Sequence, residues 1–152
     1  MALSDWPLVK IGRKGELAKT AQYLLRHRGA NIQVDGDVGP LTDAAIKAFQ
    51  TSQGLVADGI IGPQTWPKLI VQVKQGSNGE AVKAVQGQLR LRNLPQTLNL
   101  TVDGVFGPLT DAGVRAFQQA LNDENYVNTP VDGIVGPVTW HALVANYLGP
   151  DV

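Results

Sequence analysis

Asp103-Gly-Val-Phe-Gly-Pro-Leu-Thr110 is one of four near-identical octets in a chain of 152 residues. The others are Asp35-Gly-Asp-Val-Gly-Pro-Leu-Thr42, Asp58-Gly-Ile-Ile-Gly-Pro-Gln-Thr65 and Asp132-Gly-Ile-Val-Gly-Pro-Val-Thr139. All obey D-G-x-x-G-P-x-T, and a repeated unit fixes architecture before any local reading does. The motif reads as a helix entry. Its aspartate can close an Asx-type turn on the backbone N–H groups that follow. Glycine at the second and fifth positions allows φ > 0. Proline fits the first helical turn, where its missing N–H costs nothing, and the threonine or the residue after it can serve the orphan donors there. The apolar fourth or third position (Val38, Ile60, Ile61, Phe106, Ile134, Val135) is expected in the core.

Outward from the octets, the chain repeats itself on a larger scale. Gly15-Glu16, Lys19, Gln22, Leu25, Arg26 and Arg28 recur 64 residues later as Gly79-Glu80, Lys83, Gln86, Leu89, Arg90 and Arg92. Ala48-Phe49-Gln50 recurs 68 residues on as Ala116-Phe117-Gln118, and Thr65-Trp66 recurs 74 residues on as Thr139-Trp140. The growing offset places two insertions in the second half, within Asn93–Thr101 and Asn122–Thr129, where loops accept them.

Each half therefore predicts three helices. The first opens at Gly15-Glu16 with Leu17, Ala18, Thr20, Ala21, Leu24 and Leu25 at helical spacing, and stops at Gly29. The second follows Gly39-Pro40, with Leu41, Ala45, Ala48 and Phe49 as its apolar stripe, and the third carries Trp66 and Leu69. In the other half, Glu80 opens the first helix, Leu109, Gly113, Ala116 and Phe117 line the second, and Trp140 and Leu143 lie on the third. The expectation is an all-α chain of two tandem three-helix bundles, residues 1–72 and 73–152. The first includes an extended lead-in over residues 1–12, and the short Val71–Gly79 segment implies a fixed interface between the bundles.

Composition narrows the function. Thirteen basic and thirteen acidic residues give zero net charge, so the chain has no electrostatic footprint for nucleic acid or an anionic membrane surface. There is no cysteine, hence no disulfide or thiolate metal site. No stretch approaches a membrane span. The first ten residues lack the pattern of a signal peptide, which leaves a cytoplasmic location as encoded, or delivery to the wall by a non-classical, phage or secretion-system route. The two histidines, His27 and His141, occupy non-equivalent positions and show no zinc-ligand spacing. Glu16 and Glu80 read as helix-start acids, not as the unlike carboxylate pair of a glycosidase. No cofactor, metal or catalytic residue is expected.

The combination resembles the peptidoglycan-binding domain family, in tandem. The second half supplies Val82, Val85-Gln86 and Leu89, then Asp103 to Thr110, Val114 and Phe117-Gln118, then Asp132 to Trp140 and Leu143. The first half supplies Ala18, Ala21-Gln22, Leu25, Asp35 to Thr42, Phe49-Gln50, Gly54-Leu55, Asp58 to Trp66 and Leu69. Asp37-Val38 and the segment Asn122–Pro130 depart from the family pattern. The resemblance implies non-catalytic recognition of bacterial cell-wall peptidoglycan or its fragments, as an anchor or targeting module for a separately encoded hydrolase or a secretion or phage component. The alternative is a protein–protein adaptor of a phage, lysis or secretion assembly that keeps the fold without wall binding. Sugar faces, amides and stem-peptide carboxylates call for aromatic rings, amide side chains and guanidinium forks. The candidates present in both halves are Arg26, Arg28, Gln50 and Trp66, with Arg90, Arg92, Gln118 and Trp140.

Overall fold

The computed structural model describes residues 3–150. The first two residues of the 1–12 lead-in, and 151–152, lie outside the described residues. Six helices follow in order: α1 Glu16–His27, α2 Pro40–Ser52, α3 Trp66–Leu69, α4 Glu80–Leu89, α5 Pro108–Asp123 and α6 Pro137–Val144. Among the described residues there is no strand beyond isolated bridges. The fold is two tandem three-helix bundles.

The bridges show how each bundle is tied. Val9 pairs with Ile61 and Val73 with Val135; Lys14 pairs with Asp37 and Asn78 with Val105. These are equivalent positions in the two halves. The segment Val71–Gly79 thus repeats the geometry of Pro7–Gly15, an extended lead-in laid across the fourth and third octets. Each lead-in also receives the tryptophan of its third helix: Trp66 Nε1 donates to Pro7 O at 2.8 Å, and Trp140 Nε1 to Val71 O at 2.7 Å.

α1 and α4 form the principal helix-to-helix contact, and they join the bundles. Ala18, Ala21, Leu24 and Leu25 of α1 and Ala81, Ala84, Val85 and Leu89 of α4 belong to one continuous apolar core. Gln88 Nε2 donates to Thr20 Oγ1 at 2.8 Å inside it, and Arg26 pairs with Glu80 at its edge at 3.1 Å. The N-terminal lead-in crosses the boundary too. Trp6 stacks on His141 with centroids 3.9 Å apart, Ser4 O lies 2.7 Å from His141 Nε2, and Ser4 N donates to Tyr147 Oη. The lead-in therefore packs on both bundles, not on the first alone.

The apolar stripes of α2 and α5 hold at Phe49, Gly113 and Phe117 and depart from expectation at their first positions. Leu41 and Leu109 are 78% and 77% exposed and Ala48 is exposed, whereas Thr42, Ile46, Phe49 and Gln50 face inward. The fifth-position glycines also differ from expectation. Gly39, Gly107 and Gly136 are extended N-caps with φ near −100° (−98°, −102° and −100°), and no side chain caps these helices. The second-position glycines do adopt φ of 74–77°. In the first and third octets, a Cβ there would sit 3.3 and 3.2 Å from the backbone oxygens of Gly15 and Gly79. Only glycine fits that turn without strain.

Candidate functional site

The octets are organised by four buried glutamines. Gln22 Nε2 donates to Asp35 Oδ1, Asp37 O and Thr42 Oγ1 at 2.9–3.2 Å, and its Oε1 accepts from Asp35 N and Gly36 N. Gln86 repeats the set with Asp103, Gly104, Val105 and Thr110. Gln118 does so with Asp132, Gly133, Ile134 and Thr139. Gln50 binds Asp58, Ile60 and Thr65 through Nε2 and Gly59 N through Oε1. Backbone donors facing one end of each amide (two for Gln22, Gln86 and Gln118, one for Gln50) and three acceptors facing the other fix which end is nitrogen. Each aspartate also accepts the N–H two residues on, from Asp37, Ile60, Val105 and Ile134, which is the expected Asx turn. The motif threonines do not cap helix donors. They turn inward to the glutamine.

This network holds three aspartates below their ordinary carboxylate pKa. For Asp35 the main cause is the Gln22 amide; for Asp58 and Asp103 it is the backbone N–H of Ile60 and Val105. A carboxylate whose pKa is depressed on folding stabilises the fold fully above its unfolded value and loses that contribution as pH falls through its folded value. The melting temperature should be level above about pH 5 and decline below the ordinary value of 3.8 as these loops protonate. Thermal melts followed by circular dichroism across this range check it; a flat profile to about pH 2.5 contradicts it.

The eight residues expected to meet a ligand separate into an interior and a surface set. Gln50, Gln118, Trp66 and Trp140 are buried, with their polar atoms bonded as above. Arg92 is fully buried. Its Nε donates to Tyr147 O, Nη1 to Gln88 O and Oε1, and Nη2 to Leu143 O and Ala142 O, and it lies over the Phe117 ring at 5.0 Å. Burial lowers its pKa to about 9, which leaves it charged at neutral pH. These five side chains lie in the interior. Their amides, indoles and guanidinium serve buried backbone groups, which would otherwise go unpaired.

Arg26, Arg28 and Arg90 reach solvent. Arg28 caps the third helix of its own bundle, donating to Lys68 O, Leu69 O and Ile70 O at 2.9–3.2 Å. Arg26 is engaged by Glu80 and Ile32 O. Arg90 has no carboxylate within ion-pairing distance and no side-chain hydrogen bond among the described residues. It lines a cleft of about 440 Å³ on the seam between α1 and α4, together with Glu16, Lys19, Tyr23 and Gly87. The glutamines Gln22 and Gln86, which organise two of the four octets, were not among the expected site residues. Their place on the apolar stripe, four residues after Ala18 and Val82 and three before Leu25 and Leu89, is the signal that marks them as buried. Among the described residues, no cluster of three or more His, Cys, Asp or Glu side chains could hold a metal ion, and no helix is long and apolar enough to cross a membrane.

A family model for the peptidoglycan binding domain matches residues 14–69 and again residues 78–143, one match for each bundle. The chain belongs to the peptidoglycan-binding domain family. Among curated relatives it is similar to an uncharacterised protein from Kitasatospora aureofaciens, 42% identical over 73 residues, covering 47% of this chain and 62% of that one. It is also similar to a zinc D-Ala-D-Ala carboxypeptidase of Streptomyces albus G, 51% identical over 61 residues, covering 38% of this chain and 24% of the enzyme. The family member thus spans less than two thirds of either relative. Among solved structures, a peptidoglycan-binding protein from Clostridioides difficile in complex with glutamine hydroxamate is 42% identical, with a TM-score of 0.42, over 44% of this chain and 42% of that one.

Proposed function

We propose that this chain binds bacterial cell-wall peptidoglycan without cleaving it, and anchors or targets a separately encoded partner to the wall. The observation that carries this reading is the double family match, one segment per bundle, spanning α1–α3 and α4–α6. The chemistry of the octets agrees with it. Their aspartates and threonines are committed to glutamine amides and backbone N–H groups, so they brace loops and are not poised for proton transfer. The similarity to a segment covering 24% of a D-Ala-D-Ala carboxypeptidase fits a module that serves catalytic machinery located elsewhere. In this reading residues 1–72 and 73–152 are the two recognition units, and surface contact falls to Arg26, Arg28 and Arg90 instead of the buried glutamines and tryptophans.

Sedimentation with insoluble peptidoglycan tests it directly. The purified chain is expected in the pellet, with soluble wall fragments competing it off and no clearing of a wall-containing gel. Retention in the supernatant alongside a control protein overturns wall binding. If such a chain instead co-purified stoichiometrically with a protein partner, it would be an adaptor built on the same fold.

A further inference from the structure

The two bundles meet through equivalent helices, so their contacts should come in pairs. Arg26 and Glu80 form one ion pair across the seam at 3.1 Å. The residues equivalent to them, 64 positions away, are Arg90 and Glu16, and here the pair is not made. Glu16 is met by Lys19 at 3.4 Å instead. Arg90 instead lines the 440 Å³ cleft, together with Tyr23 and Gly87. Gly87 lies inside α4 with ordinary backbone angles, and a Cβ there would meet only Glu16 Oε2, at 3.7 Å. The missing side chain opens space; it does not relieve a turn.

A second cleft of about 400 Å³ adjoins the first and shares Glu16 and Leu91 with it. It adds Arg13, Lys14, Asp5 and Leu17 to the lining. Around the two clefts, Arg90, Lys19, Arg13 and Lys14 face Glu16 and Asp5, an excess of cations on a chain with zero net charge. Lys19 and Lys14 each lie near one carboxylate, Glu16 at 3.4 Å and Asp37 at 3.7 Å; among the described residues Arg90 has none within ion-pairing distance. Each volume is in the roughly 300–1,000 Å³ range of small-ligand clefts, and a local positive field draws anionic ligands.

We propose that this seam is a binding site for a carboxylate-bearing wall fragment, a muropeptide with free stem-peptide carboxylates. Arg90 takes a carboxylate in its guanidinium fork, and Tyr23 and Leu91 pack against the neighbouring apolar or sugar surface. The site is made by both bundles together, since α1 supplies Glu16, Lys19 and Tyr23 while α4 supplies Gly87; Arg90 and Leu91 follow at its C-terminal end. It rests on the wall-binding reading and locates it.

The test is an NMR titration of the whole ¹⁵N-labelled chain with two soluble muropeptides, one with free stem carboxylates and one with them amidated. The free form should shift the amides of Tyr23, Gly87 and Leu91 saturably. Arg90→Gln should weaken its binding about tenfold, and the amidated form should bind the native chain as weakly. Arg90→Lys should recover part of the loss. Lys74→Gln, the same charge change away from both clefts, should bind as the native chain does; Arg90 is exposed, so matching thermal melts will show that the variants are folded. Unchanged affinity of Arg90→Gln, or shifts confined to residues away from the seam, overturns the proposal. The sedimentation assay separates the two readings. Native chain in the pellet with no seam shifts removes the seam site and leaves wall binding standing, whereas seam shifts without sedimentation support the site while overturning attachment to the intact wall.

Discussion

Replacing Gln86 with leucine should destabilise the protein by about 3–5 kcal/mol, because several polar groups lose their partner at once. Gly104 N and Thr110 Oγ1, both buried, turn to the Gln86 amide, as does the Val105 carbonyl, which would keep only Gly107 N. Each such group left without a partner costs about 1–3 kcal/mol. The exposed Asp103 can turn to water, so it adds little. For a chain of this size the melting temperature should fall by about 10 °C. Gln86→Glu sharpens the argument because it keeps the shape. Its carboxylate would face Asp103 Oδ1 and the Val105 carbonyl at the 3.0 and 3.1 Å now spanned by N–H groups, so its pKa is raised in the folded state by like charge and burial. A raised carboxyl pKa destabilises the fold above that value and is relieved as pH falls through it. Gln86→Glu should therefore close part of its gap to the native chain on acidification from pH 7 to about pH 5, where the native chain itself is level. Chemical denaturation at the two pH values reads this out. A leucine variant within about 1 kcal/mol of native would show that the amide is dispensable.

That prediction also explains which parts of the molecule were legible in the sequence. The octets announced four turns, and the tandem architecture followed from them. What they concealed was which way their residues point. Leu41 and Leu109 look like the first members of an apolar stripe, yet the next residue in each, Thr42 or Thr110, must face the glutamine amide. One step along a helix is about 100°, so the leucine is turned out to solvent. The same network decides the amides. Phe49-Gln50 and Phe117-Gln118 offer the residue types that recognise sugars and peptides, but three or four residues on, that face of the helix is core. Gln118 lies four residues after Val114 and three before Leu121, both fully buried. Residue type pointed to a ligand and periodicity pointed to the interior; periodicity prevailed because the turns contain backbone donors with no other partner. Arg90 illustrates the converse. It lies two positions before Arg92, and both follow the last residue of α4, where the chain leaves the helix; one guanidinium is sealed inside and the other is left on the seam. Nothing in the local sequence distinguishes them; the distinction comes from packing, since Arg92 is enclosed by α6 and Phe117 of its own bundle.

Arg92 and Arg28 occupy equivalent positions and do equivalent work, so their substitution isolates what burial adds. Each guanidinium gathers carbonyl oxygens at the end of the third helix of its own bundle: Lys68, Leu69 and Ile70 for Arg28, and Ala142, Leu143 and Tyr147 for Arg92. Helix C-terminal carbonyls have no intrahelical donor and must be met by side chains or water. Around Arg28, an exposed residue, water can take over, and Arg28→Leu should cost about 1 kcal/mol. Around Arg92, at 0% exposure, the Tyr147 carbonyl and the Gln88 side-chain oxygen would be stranded, while the Ala142, Leu143 and Gln88 carbonyls would keep only the backbone N–H groups of Tyr147, Asn146 and Leu91. Removing a buried charge does return its desolvation cost, and this is why replacing a whole buried pair by apolar groups can be neutral. The acceptors here, the Tyr147 carbonyl and the Gln88 side-chain oxygen, stay in place when Arg92 is replaced. The stranded acceptors should therefore outweigh the returned desolvation, and Arg92→Leu is expected to cost about 3–4 kcal/mol. Arg92→Lys should recover little, since one ammonium cannot span carbonyls spread from Gln88 to Tyr147. Denaturant unfolding of the three variants gives the comparison. Equal costs at positions 28 and 92 would mean that water reaches the Arg92 carbonyls once the guanidinium is gone, and that the capping itself, not its burial, sets the energy.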